Sequence, residues 1–135
     1  MLYELAADPT TVLIDFLKSH SVLEPLIGDR VSTFRLDTPL TRIQLSMVPP
    51  EVGPPGFENY EYQVDCWGPT DAVDDIDQAQ NLARAVCGAI YDLRGTSGVT
   101  VAAPTVRPFS LADPETGRPR FITQVKFTIS PEVAP

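Results

Sequence analysis

The sequence predicts an α+β domain, with a mixed or antiparallel sheet of about four strands covered on one face by two helices. Three observations carry this expectation. Phe121, Thr123, Val125, Phe127 and Ile129 alternate with Ile122, Gln124, Lys126 and Thr128, which is the period of a strand. Ile76, Ala79, Ala83, Val86, Ile90 and Leu93 recur at steps of three and four, which is the period of an amphipathic helix. Tyr60, Tyr62, Val64 and Cys66 alternate with Glu61, Gln63 and Asp65, and this run closes on Trp67-Gly68 before the helical pattern begins. An apolar face backed by a polar one fits a sheet covered on one side. Residues 1–135 read as one domain, a length that suits a single core.

Taken in order, Asp8-Pro9-Thr10-Thr11 opens the first helix. Asp8 or Thr10 can cap it, and proline is tolerated at the first helical position. Leu13, Ile14, Phe16 and Leu17 form its apolar stripe, and it frays near Ser19-His20-Ser21. A short turn over Val22–Ile27 ends at Gly28, and Val31–Leu36 reads as a short strand with Val31 and Phe34 inward. In Thr41–Val48, Ile43, Leu45 and Met47 face one way and Arg42, Gln44 and Ser46 the other. The prolines of Pro49–Gly56 remove backbone donors and fix the chain, so this segment is a stiff surface loop between strands.

Beyond Gly68-Pro69, Thr70 is the expected N-cap of the long helix. Asp71, Asp74 and Asp75 then lie in its first turns, where acids complement the positive end of the helix dipole. The helix spans about six turns. Ala79, Ala83 and Ala89 let it lie close to the sheet, and Arg94 and Gly95 supply stop signals. Val99, Val101 and Ala103 begin another strand, in which Pro104 and Pro108 mark bends or an edge. Asp113–Gly117 is a turn, so the runs on its two sides pair as a hairpin. The tail, Pro131–Pro135, is loose.

Composition excludes several function classes. A formal charge of −8 opposes any grip on nucleic-acid phosphates. No apolar run is long enough to cross a bilayer, so no membrane partner is expected. The opening MLYELAADP lacks the basic and apolar stretches of a signal peptide, which points to synthesis and use in a cytoplasm. Cys66 and Cys87 match no zinc spacing and read as small buried apolar groups rather than a disulfide. His20 is the single histidine, so a multi-histidine metal site is excluded; it reads as a polar residue near a helix end.

Chemistry is sparse. Asp71, Asp74, Asp75 and Asp77 lack calcium-loop spacing and read as an acidic first turn. Nucleophile-elbow, phosphate-loop and dinucleotide patterns are absent. Trp67 reads as an anchor of the helix against the sheet rather than as a ligand stack. No catalytic, cofactor-binding or metal residue is assigned, and a non-enzymatic role is expected. The working surfaces are then the projecting segments: Glu51, Val52 and Phe57 at the Pro-rich loop, and Glu115, Thr116, Arg118 and Arg120 at the hairpin. Replacing Arg118 and Arg120 with glutamate is expected to block assembly without unfolding the monomer, because exposed charges add little stability.

Asp8 is followed by Val12–Leu17, reading VLIDFL; then come Tyr62–Gly68, reading YQVDCWG, Ala79–Val86, and the late strand from Arg120 to Phe127. In this order these segments resemble the tail-terminator, or tail-completion, proteins of long-tailed bacteriophages. The Pro-rich loop at Pro49–Gly56 departs from that pattern. The resemblance implies a virion structural protein at the head–tail junction, made in the host cytoplasm. Copies of the chain would form a hexameric ring on the tail tube protein, stop tube polymerisation and present a surface to a head-completion or connector protein. DNA would pass through the lumen without specific binding, and no cofactor is implied. A head-completion or connector protein is the neighbouring reading. A small cytoplasmic ligand-binding or enzymatic α+β domain is the reading from another class, and it requires a pocket with convergent polar groups.

Overall fold

The computed structural model describes residues 8–34, 40–49, 58–69, 75–115 and 117–130. Helix α1 spans Pro9–Ser19 and the single turn α2 spans Glu24–Ile27. Strand β1 is Val31–Ser32, β2 is Arg42–Val48 and β3 is Glu58–Trp67. Helix α3, described over Asp75–Ala89, runs into a 3₁₀ turn at Ile90–Leu93. Strands β4, Val99–Ser110, and β5, Arg120–Ile129, follow. One five-stranded sheet has the order β1-β2-β3-β5-β4. Only β1 and β2 run parallel; the remaining neighbours are antiparallel. This is the expected α+β class, with the short β1 as the fifth strand.

Strand alternation sets the two faces. Rows such as Ile43–Cys66–Phe121 and Leu45–Val64–Thr123 cross β2, β3 and β5 on one face. These residues are buried, and all but Thr123 join Leu13, Leu17, Leu23 and Ile27 and the α3 residues Ala79, Leu82, Ala83 and Val86 in one apolar core. Burying each large aliphatic side chain contributes about 1.5–3 kcal/mol. The small alanines let α3 approach β3, β5 and β4 closely, as their spacing suggested. Tyr62 stacks on Phe127 with ring centroids 5.8 Å apart, and its hydroxyl pairs with Thr10 Oγ1 at 2.6 Å, which ties α1 to the sheet.

Local signals act as read. The Asp8 carboxylate accepts from the Thr10 N–H at 3.2 Å and from the Thr11 hydroxyl at 2.9 Å, and Pro9 occupies the first helical turn. Gly28 closes α2 at φ 53, a conformation that disfavours side chains with a Cβ. Cys66 and Cys87 are both free thiols, and the Cys87 sulfur lies 3.1 Å from the Thr123 hydroxyl.

Several facing assignments need correction. Phe34 is 65% exposed, because β1 ends at Ser32, whose hydroxyl donates to the Phe34 carbonyl and turns the chain. Met47 shares the face of Ile43 and Leu45 as expected but is exposed, since β1 pairs β2 only at Ile43 and Gln44 and leaves its later residues at the rim. Ile76 is exposed near the first turns of α3. Val101 is 59% exposed while Ala102 is buried, because a register shift between Val99 and Val101 reverses the alternation. Arg42 and Asp65, expected on a solvated face, are buried. The expectations for Leu36, the loop over 50–56, Thr70, Asp71, Asp74 and the tail 131–135 lie outside the described residues.

Two glycines give opposite expectations. Gly98 sits at φ +80, and an added Cβ would lie 3.1 Å from the Ser130 carbonyl oxygen. Gly88 lies in α3 with open space around a would-be Cβ. Gly98→Ala should lower the urea midpoint by about 1 kcal/mol or more of stability. Gly88→Ala should raise it by about 0.5–1 kcal/mol.

Candidate functional site

Trp67 ends β3, one residue past the last core-facing position, so its side chain falls on the opposite face from Cys66. Register places Arg42 of β2 and Arg120 of β5 on either side of it. The Arg42 guanidinium carbon lies 4.3 Å from the indole centroid and that of Arg120 lies 5.6 Å away. Both cations approach the ring, whose π-face attracts them. Trp67 is 1% exposed. It therefore does not anchor a helix, as the sequence suggested; it is held under two arginines on the face away from the apolar core.

Asp65 completes the cluster. Its carboxylate receives the Gln63 amide N–H at 2.8 Å and Arg120 Nη1 at 3.3 Å. Burial pushes the carboxyl above the ordinary Asp value, while the Gln63 bond and the Arg120 charge pull it down and Asp113 adds a further upward push. Arg120 also donates through Nε to the Leu111 carbonyl at 3.1 Å. The Trp67 indole N–H has no hydrogen-bond partner among the described residues.

The hairpin turn differs from the projecting tip expected. Asp113 is buried, its N–H donates to the Arg118 carbonyl at 2.9 Å, and its carboxylate accepts the Glu115 N–H at 3.1 Å. Arg118 is half-buried and donates to the Leu40 carbonyl at 3.4 Å and to the Gly68 carbonyl. Arg118 and Arg120 thus fold back to tie β5 to the ends of β2 and β3, rather than projecting. Glu115 is exposed. Thr116 lies outside the described residues, as do Glu51, Val52 and Phe57. The glutamate double substitution would accordingly damage the fold, which corrects the expectation of an intact monomer.

Elsewhere, His20 is a tether. Its Nδ1 accepts the Val22 N–H at 3.2 Å, which leaves the proton on Nε2, 2.8 Å from Asp92 Oδ2. An open groove of about 420 Å³ lies between α1 and the turn at Thr96-Ser97. Four of its polar side chains bond within the chain: Asp8 caps α1 and accepts the Thr11 hydroxyl, the Ser19 hydroxyl donates to the Asp15 carbonyl, and the Thr96 hydroxyl donates to the Leu93 carbonyl. Among the described residues, no group of three or more His, Cys, Asp or Glu could hold a metal ion, and no helix is long and apolar enough to cross a membrane. Burial pushes the Cys66 thiol well above its ordinary value, so it stays protonated.

Of the ten large apolar residues left exposed among the described residues, Val22, Leu26, Ile76 and Tyr91 lie on or beside the helices and six lie at the rims of the sheet. Val101 and Phe109 lie on the edge strand β4, with Leu111 just beyond it. Phe34, Leu40 and Met47 lie around β1 and β2 at the other edge. Comparison with known proteins finds no family model and no curated protein that matches the chain.

Two measurements check this account. Arg120→Glu should lower stability by roughly 3–5 kcal/mol in chemical denaturation, since it leaves a buried Asp65 without its cation; Arg84→Lys, at an exposed position of α3, should change it by less than about 0.5 kcal/mol. Asp65 binds its proton more tightly folded than unfolded, so its contribution to stability declines as pH rises from the ordinary value of 3.8 through the raised folded value. Asp65→Asn should remove that part of the decline when denaturation midpoints are compared from about pH 3.5 to about pH 7.

Proposed function

We propose that this chain is a virion structural protein, a tail terminator whose copies form a hexameric ring on the tail tube. The ring stops tube polymerisation and offers its free side to a head-completion or connector protein. One observation carries the reading: six exposed large apolar residues, Phe34, Leu40, Met47, Val101, Phe109 and Leu111, sit at two opposite, unlike edges of one sheet. A cyclic ring needs such a pair, because each interface joins one patch to a different patch on the next copy. The order of elements also supports it. An N-terminal helix, a strand closing on Trp67-Gly68, a long helix and a final hairpin are those on which the family resemblance rests.

The role is mechanical rather than catalytic. The chain supplies a rigid, ten-residue pairing of β3 with β5 as a scaffold. Edges and loops held by that scaffold make contacts. A net charge of −8 keeps a DNA-conducting lumen from adhering to its cargo.

The purified chain should form closed rings in negative stain, alone or on the ends of tubes of the tail tube protein. A monomer that neither assembles nor caps tubes would sink the reading. In a low-salt gel-shift assay the chain should leave duplex DNA unretarded, and tight binding there would overturn the non-adhesive lumen.

A further inference from the structure

The two edges are chemically unlike, and the difference says how they meet. Strand β4 carries a single charged residue, Arg107, which is exposed between exposed Val101 and Phe109. Glu61 of β3 reaches this edge, its carboxylate accepting the Thr105 hydroxyl at 2.8 Å, but the exposed Lys126 stands opposite Glu61 in register, so in a chain of net charge −8 the edge keeps a positive charge that another acidic copy can approach. The opposite edge carries an exposed acid, Asp29, two residues before Val31 of β1. Its neighbour Arg30 is half-buried and held against the chain, donating to the Thr41 carbonyl at 2.7 Å and the Leu26 carbonyl at 3.2 Å, while Asp29 stays exposed. Four strand spacings of about 4.8 Å separate the edges by roughly 19 Å, so the two patches cannot meet within one copy.

Strand addition is the obvious mode for an edge strand, and β4 is built against it. Pro104 and Pro108 lack N–H donors. Register shifts fall between Val99 and Val101, between Pro104 and Val106, and between Val106 and Phe109. No long regular row of backbone groups remains on this edge, so contact is made through side chains.

Resting on the ring reading above, we propose that the β4 edge of one copy docks on the β1–β2 edge of a second copy. Register sets Val101 and Phe109 on the face away from the core and Met47 on the core face, so the second copy meets the first with its sheet rotated; Val101 and Phe109 then pack toward Phe34 and Met47, and Arg107 faces Asp29. The contact is heterologous and, with strand addition blocked, takes its angle from side-chain packing.

Single-cysteine variants test this, made in a Cys87→Ser background where the remaining Cys66 is fully buried. Phe109→Cys mixed with Met47→Cys should give a cross-linked dimer with a short bismaleimide, and neither should do so alone. The double variant should give a ladder of higher species. Arg107→Asp should cut the cross-linking yield roughly two- to fivefold, the range of an exposed ion pair, and mixing it with an Asp29→Arg copy should restore the yield. Efficient self-linking of Phe109→Cys alone would overturn the head-to-tail contact, as would charge reversals without effect on yield. Closed rings without the Phe109–Met47 link would overturn this interface and leave the terminator reading standing. Head-to-tail links without rings or tube capping would keep the interface and overturn the terminator reading.

Discussion

The pairing of β3 with β5 is the constraint on which the rest of the molecule depends. It runs unbroken from Glu58 opposite Ile129 to Trp67 opposite Arg120. One register decides both faces at once. It puts Val64 beside Thr123 and Cys66 beside Phe121 against the core, and Trp67 beside Arg120 on the reverse. A slip of one residue would turn the apolar row to solvent and bury Gln63 and Lys126 instead. Polar contacts on the reverse face, between Asp65 and Arg120 and between Arg120 and Trp67, resist the same slip from the other side.

Much of the fold was legible because periodicity reports burial directly. The three-and-four spacing of Ala79, Ala83 and Val86 matches the buried set, and so does the alternation in Phe121–Ile129 except at Ile122, which is buried on the reverse face. What failed is what depends on non-local pairing. Arg42 reads as a solvated residue of a half-buried strand, and only its register opposite Trp67 shows why it is buried. Val101 was misplaced because a bulge adds a residue that no local pattern announces. Phe34 was misplaced because a two-residue strand ends before it. Arg118 and Arg120 look like turn charges in sequence; the carbonyls and carboxylate they bind lie some 9 to 78 positions away.

The candidate site was less legible than the fold. Catalytic residues announce themselves by type and spacing, whereas a docking edge is defined by what remains uncovered after folding. Phe109 and Met47 are ordinary strand residues in the sequence. They become a pair of surfaces only once the sheet order places β4 and β1 at its two rims. Apolar residues at such rims mark interaction sites more often than scattered surface ones do.

The position of β5 has a consequence for biosynthesis. Among the described residues it is the last strand in chain order, yet it lies inside the sheet, between β3 and β4. Until it leaves the ribosome, β3 and β4 have no common neighbour, and the two rims have no fixed separation. Local β4–β5 pairing can form early, but joining β5 to β3 closes a long loop and is intrinsically slow. A nascent or prematurely ended chain therefore lacks the interior strand that joins β4 to the rest of the sheet. The topology withholds the complete sheet until synthesis has passed Ile129.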